Sequence, residues 1–137
     1  MRVKKWNKWI KYQNFSKRIY NPTLKELKIF AKEDDTDKRE YKNDTFVCTE
    51  FTNTFVKNFA EKGYFSCITI LTFENKNIGH AIVAINTSDY GLVYVEPQSY
   101  KIIYSLEVGD NYCKKVNWNC NFIIKKISNC FEIKVKS

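Results

Sequence analysis

Three residue types in this chain suit nucleophilic catalysis by a thiol. His80 is the only histidine and opens an apolar run, "HAIVAINT". Glu96 stands near the end of the next apolar run, and Cys48 precedes a repeating series of phenylalanines. A thiol, an imidazole and a carboxylate are the groups with which thiol enzymes attack a carbonyl carbon. The sequence therefore contains the side chains of a Cys-His-Glu triad.

Cys48 is expected in the first turn of a helix that Asp44 or Thr45 would cap. The N–H groups at a helix start lack helical partners, and the helix dipole favours negative charge there. Thiols at such positions ionise more readily to the thiolate, which is the nucleophile. The backbone N–H of Cys48 would also point toward an oxyanion that forms beside the sulfur.

Hairpin geometry selects the carboxylate that would hold His80. If the two apolar runs pair about a turn at 88–90, His80 and Glu96 lie almost opposite each other. Asp89 then lies at the far tip of the hairpin, one strand length away. The sequence therefore predicts that Glu96 holds one ring nitrogen and that the other nitrogen faces the sulfur.

Each of the three residues also has an ordinary structural interpretation. A lone cysteine at a helix start is usually a small buried residue, and a histidine on an apolar strand is usually a hydrogen-bonded core group. A glutamate before proline is often a plain strand end. The order and spacing of Cys48, His80 and Glu96 together favour catalysis over these alternatives, which stay open.

Hydrophobic spacing predicts the helices that must position this chemistry. Aromatic residues at intervals of three predict a helix within 6–15. A second helix is expected around 21–34, with Asn21 as its cap, followed by a charged loop. The third spans about 44–63, and Gly63 would end it in a left-handed conformation.

After Gly63 the pattern changes to short apolar runs with a period of two, which predicts strands. The expected strands are 65–73, 80–87, 91–97, 101–108, 121–128 and 131–137, with a helix as the alternative for 121–128. Short links favour antiparallel neighbours. The fold class is therefore α+β, with N-terminal helices packed on an antiparallel sheet. We expect a single domain, 1–137, in which 1–43 is the helical N-terminal part and 44–137 holds the Cys48 helix and the sheet.

Composition narrows the class of protein. The net charge of +8 allows contact with nucleic acid, but the lysines are scattered and no nucleic-acid motif is present, so that reading ranks last. No apolar stretch reaches the length of a membrane span, and the basic start lacks the apolar core of a signal peptide. The sequence therefore predicts a soluble, cytoplasmic protein without a membrane association.

The five cysteines are an odd number, so at least one is unpaired within the chain. No CxxC pair is present, and we expect neither a metal nor a cofactor. Structural disulfides are unusual inside a cell except in hyperthermophiles, so Cys67, Cys113, Cys120 and Cys130 are expected to be reduced, small buried residues. A zinc site formed by these four is the less favoured alternative.

Four segments carry a family resemblance: "FVCTEF", "EKGYFSCITI", "GHAIVAI" and "LVYVEPQ". Together they resemble the transglutaminase-like superfamily, a branch of the papain-like thiol enzymes, and its small archaeal and phage-type members in particular. The resemblance covers about 44–98 and implies a papain-like core with Cys48 as nucleophile, His80 as base and Glu96 as third member. The acid is usually Asp in this family, and Ile82 stands where a Trp is common.

The resemblance implies a thiol-dependent amide-bond enzyme, which is a cysteine peptidase, isopeptidase, amidase or transamidase. Tyr41 and Asn43 are candidate oxyanion donors, and Gln98 is a candidate auxiliary residue. The substrate would be a peptide or protein amide. The alternative is a catalytically silent, transglutaminase-like module that binds a protein partner. The oligomeric state does not follow from the sequence.

Overall fold

The computed structural model describes residues 19–34 and 48–130, and it describes only the backbone of Cys48 and Thr49. The helix predicted within 6–15 and the strand predicted at 131–137 lie outside the described residues. The division of one domain into 1–43 and 44–137 therefore stays a prediction.

The described residues form an α+β fold with a five-stranded antiparallel sheet, which confirms the predicted class. Its helices and strands are α1 (Leu24–Glu33), α2 (Cys48–Glu61), β1 (Cys67–Phe73), β2 (Gly79–Thr87), β3 (Gly91–Glu96), β4 (Lys101–Ile103), α3 (Tyr112–Lys115) and β5 (Ile124–Asn129). None of the described helices is both long and apolar enough to cross a lipid bilayer.

The sheet order is β4-β3-β2-β1-β5, and every neighbouring pair is antiparallel. The predicted hairpin between β2 and β3 is confirmed. The Thr87 hydroxyl closes its turn by donating to the Gly91 carbonyl and accepting from the Tyr90 N–H. The fourth strand is shorter than predicted, because pairing with β3 ends at Ile103.

Local interactions define the start of α1 and the end of α2. Thr23 caps α1 in a reciprocal capping box with Glu26, so the prediction that Asn21 caps this helix was wrong. The Thr23 oxygen accepts from the Glu26 N–H, and this satisfies a donor that the helix itself leaves unpaired. Gly63 follows α2 with φ of 93°, which confirms the left-handed conformation predicted there.

The sheet separates two apolar cores. The first lies between the sheet and the helices α1 and α2, where Phe30 packs on Phe55 and Phe59 with ring centroids 5.2 and 4.8 Å apart. The sheet residues of this core include Val83, Ile85, Val93 and Val95. The opposite face is covered by α3 and its flanking chain, and that core includes Leu71, Ile82, Ala84, Tyr94, Tyr112 and Ile124. The sequence analysis did not predict this second cover.

The expectation that the later cysteines are reduced was wrong. Cys67 is bonded to Cys130, and Cys113 is bonded to Cys120. The first bond forms because β1 and β5 are antiparallel neighbours, so the start of β1 lies beside the end of β5. The second closes the turn after α3. Of the five cysteines, Cys48 is the one outside these two disulfides.

Candidate functional site

His80 and Glu96 meet on one face of the β2–β3 hairpin. The register pairs Val83 with Val95. Continuing that register sets Glu96 opposite Ile82, two residues from His80 and on the same face. His80 Nε2 lies 2.5 Å from Glu96 Oε1. The predicted contact between these two side chains is therefore confirmed, while their chemical roles stay predictions.

Asp89 is occupied elsewhere, as the hairpin geometry predicted. It lies in the turn between β2 and β3, and its Oδ1 accepts a hydrogen bond of 2.9 Å from the backbone N–H of Leu24. This contact joins the hairpin tip to the first turn of α1. A carboxylate there also complements the positive end of the helix dipole.

The Glu96 carboxylate is fully buried and accepts three hydrogen bonds. His80 Nε2 and the Tyr112 hydroxyl both bind Oε1, the latter at 2.7 Å, and the backbone N–H of Gln98 binds Oε2 at 3.0 Å. Because a carboxylate accepts and does not donate, the first bond assigns a ring hydrogen to Nε2. Proton transfer between His80 and another group would therefore use Nδ1. Gln98 contributes its main chain to this network.

The rings of Tyr112 and Trp118 pack against the imidazole of His80, and the sequence analysis missed both residues. The ring centroid of His80 lies 5.3 Å from that of Tyr112 and 5.6 Å from that of Trp118. Burial and, next, the Glu96 charge raise the pKa of Tyr112, so its hydroxyl keeps its proton to a higher pH than an ordinary tyrosine does. The one sequence signal for these two residues is the close spacing of Cys113 and Cys120, which is typical of a small disulfide loop.

Gly79 explains how β1 and β2 approach each other beside His80. A Cβ at this position would lie 3.0 Å from the carbonyl oxygen of Leu71, which is backbone and cannot swing away. Leu71 is also the residue that pairs with His80 across the two strands. The glycine therefore permits the close strand contact that sets the position of the imidazole.

Cys48 is the first residue of α2 that the structure describes. The predicted caps Asp44 and Thr45 lie outside the described residues, so the position of Cys48 in the first helical turn stays a prediction. Residues 62–66 join the end of α2 to the start of β1, and the helix packs on β1 and β2. The helix consequently runs back along β1, and its N-terminus is directed to the end of the sheet where β1 finishes and β2 begins. His80 lies at that same end.

The sheet faces constrain how sulfur and imidazole could meet. Residues alternate between faces along β2. His80 shares the face of Ile82 and Ala84, whereas α2 packs on the face of Val83 and Ile85. A contact between the Cys48 sulfur and the imidazole must therefore pass round the end of β2, and it stays a prediction.

Tyr41 and Asn43 lie outside the described residues, so their oxyanion role stays a prediction. Within 19–34 and 48–130, no group of three or more His, Cys, Asp or Glu side chains is arranged to hold a metal ion.

Neither a protein-family model nor a curated protein sequence matches this chain.

Proposed function

We propose that the protein is a thiol-dependent amide-bond enzyme with a papain-like core of the transglutaminase-like type, in which Cys48 is the nucleophile, His80 the acid–base group and Glu96 its orienting carboxylate. The observation that carries this proposal is the bond between His80 Nε2 and a Glu96 carboxylate that is 0% exposed. A buried carboxylate that fixes one ring nitrogen is what an imidazole needs to exchange a proton through the other.

The chemistry follows from these assignments. The Cys48 sulfur would form a bond to the carbonyl carbon of a peptide or isopeptide amide, and the carbon–nitrogen bond would break. His80 would take the proton of the Cys48 thiol and give it to the leaving amine, which leaves a thioester on Cys48. Water or a second amine would then bond to the thioester carbon and lose a proton to His80, and the carbon–sulfur bond would break, which releases the acid or new amide and the Cys48 thiolate. Hydrolysis and transamidation differ only in this last nucleophile.

The position of Cys48 adds to the proposal in two ways. Cys48 is the first described residue of α2, at the His80 end of the sheet, and in the first turn of this helix the dipole would favour a thiolate. It is also the cysteine outside the two disulfides, so it is available for chemistry that the other four cannot perform while oxidised.

The alternative function is a protein-binding module without turnover, and one observation favours it. His80 lies on the sheet face opposite α2, where Glu96 binds its Nε2 and the Tyr112 hydroxyl donates to the same Glu96 oxygen. Such a cluster also serves to pin α3 and its flanking chain to the sheet. In this reading the network is structural, and Cys48 takes no part in it.

Alkylation by iodoacetamide without a reductant separates the two functions. For the enzyme we expect Cys48 to react at neutral pH at least about tenfold faster in the folded protein than in the denatured one. We expect His80→Ala and Glu96→Gln to remove most of that difference. Peptide mapping by mass spectrometry identifies the alkylated residue, and a peptide vinyl sulfone tests whether a substrate-like electrophile reaches it.

Asn86→Ala is the matched control, because Asn86 is an exposed residue of β2 far from the site. It should react at the wild-type rate. The enzymatic function is rejected, and the binding module is preferred, if Cys48 is alkylated no faster in the folded protein and at the same rate in His80→Ala.

The cytoplasmic location stays a prediction. Disulfides persist in oxidising compartments and in the intracellular proteins of hyperthermophiles, and they are rare in other cytosolic proteins. The two disulfides therefore favour either an oxidising compartment or the interior of a hyperthermophile's cell.

A further inference from the structure

The turn from Tyr112 to Cys120 contains the two aromatic rings against His80 and is closed by its own disulfide. Tyr112 precedes Cys113 directly, and Trp118 lies between the two bonded cysteines. The backbone N–H of Trp118 also donates to the Cys113 carbonyl at 2.8 Å, so the main chain that carries the indole belongs to the same short loop. The covalent link and the walls of the imidazole therefore belong to one structural unit.

The two disulfides differ in their access to solvent. Cys120 is exposed and Cys113 is buried, whereas Cys67 is 0% exposed and Cys130 is half-buried. A thiolate must reach a sulfur atom to exchange with it. A dithiol reductant should consequently open Cys113–Cys120 before Cys67–Cys130.

We propose that the Cys113–Cys120 disulfide is a redox switch for the His80–Glu96 pair, with Tyr112 as the positioning residue through which it acts. A dithiol would donate two electrons and two protons, Cys113 and Cys120 would become thiols, and the dithiol would become a disulfide. The opened loop then no longer holds Tyr112 against Glu96 or Trp118 against the imidazole, and water reaches the bond between His80 and Glu96. Regulation of catalysis by this route rests on the proposed function, but the structural coupling does not.

The hydrogen on His80 Nε2 reports this coupling directly. His80 is the only histidine, so its ring protons and nitrogens give one set of NMR signals. In the oxidised protein we expect a downfield Nε2–H signal that exchanges slowly with water, because Glu96 binds it and two rings cover it. All samples carry Cys48→Ser, which removes the remaining thiol and prevents disulfide exchange.

Opening the loop should accelerate this exchange by about tenfold or more. We expect the same result from mild dithiol treatment and from the Cys113→Ala/Cys120→Ala variant. The matched control is Cys67→Ala/Cys130→Ala, which opens the other disulfide and should leave the exchange rate within about twofold of the reference. Circular dichroism confirms that each sample is folded.

Tyr112→Phe tests the positioning role with both disulfides intact, and so it also serves if the double variant does not fold. Loss of its hydroxyl should shift the His80 ring nitrogen signals and accelerate Nε2–H exchange. Tyr94→Phe is its control, because Tyr94 is another buried tyrosine of the same core whose hydroxyl accepts from Asn129 instead. Tyr94→Phe should leave both signals unchanged.

The proposal is overturned if opening Cys113–Cys120 leaves the Nε2–H exchange rate unchanged, or if opening Cys67–Cys130 accelerates it equally. These outcomes are independent of Cys48 alkylation. Slow alkylation of Cys48 together with redox-dependent exchange at His80 would reject the enzyme and retain the switch, and the converse pair of results would do the reverse.

Discussion

Glu96 shows how a carboxylate can be buried without a penalty that destabilises the fold. An unpaired ionised carboxylate is very costly in an apolar interior, and hydrogen bonds to both oxygens offset that cost. Here β2, α3 and the chain after β3 each supply one donor. Removing any one donor leaves a lone pair unsatisfied, so we regard the four groups as one energetic unit.

Tyr112 gives a testable pH dependence at this scale. Burial raises its pKa above the ordinary value of 10.0, so the folded state keeps this proton at a pH where the unfolded state loses it. Stability is thus unaffected below pH 10 and falls above it, by up to about 1.4 kcal/mol per pH unit from this group. The measurement is urea unfolding at a series of alkaline pH values, compared with Tyr112→Phe.

The difference in unfolding free energy between wild type and Tyr112→Phe should shrink as the pH rises above 10. Taking the difference cancels the other tyrosines and the lysines, which titrate in both proteins. Parallel curves would show that the Tyr112 proton is not held more tightly in the folded state.

Among the elements, β2 has the central role, because it contributes to both cores at once. Val83 and Ile85 face the helices, and Ile82 and Ala84 face the Tyr112 side. A displacement of this strand would disturb both packings together. The position of its first residues, Gly79 and His80, is consequently fixed from two sides.

Gly79→Ala tests how tightly that end of β2 is held. The added methyl would lie 3.0 Å from the Leu71 carbonyl oxygen, so the two strands must separate locally. We expect a loss of about 1–3 kcal/mol in unfolding free energy, measured in urea, together with a shift of the His80 ring signals. Asn77→Ala, an exposed change in the link between β1 and β2, should cost less than about 0.5 kcal/mol.

An unchanged unfolding midpoint in Gly79→Ala would mean that the strand end adapts freely and that the glycine does not set the position of His80.

The sheet and the contact between His80 and Glu96 were predictable from the sequence because they depend on local patterns. Alternation marks β2 and β3, and hairpin arithmetic brings His80 to Glu96. The contact with Tyr112 was not predictable, since it depends on how irregular chain after β4 folds over a sheet face. The disulfide between Cys67 and Cys130 depends on a pairing of β1 with β5 that no local pattern encodes.

For the whole molecule, the two disulfides differ most in the length of chain they close. Cys67 and Cys130 are 63 residues apart, and Cys113 and Cys120 are 7 apart. In the chain-entropy account the longer loop contributes about 4 kcal/mol and the shorter about 2 kcal/mol. We therefore expect Cys67→Ala/Cys130→Ala to lower the unfolding free energy by roughly twice as much as Cys113→Ala/Cys120→Ala.

Chemical unfolding of the two double variants in the Cys48→Ser background measures this ratio. If this ratio is observed, the disulfide that contributes more to the unfolding free energy is the one remote from His80. The stability of the fold and the packing around His80 then depend mainly on different disulfides. A larger loss from Cys113→Ala/Cys120→Ala would mean that the turn around His80 is itself a main determinant of the fold.

The Cys67–Cys130 link also decides how the molecule bears mechanical tension. A force that pulls on the chain before Cys67 and after Cys130 travels through the sulfur–sulfur bond and bypasses everything between them. The six elements β1, β2, β3, β4, α3 and β5 lie between these cysteines, so the pull is not transmitted along their main chain, which includes His80 and Glu96. Only when this one bond is reduced can traction on the outer chain peel the strands apart.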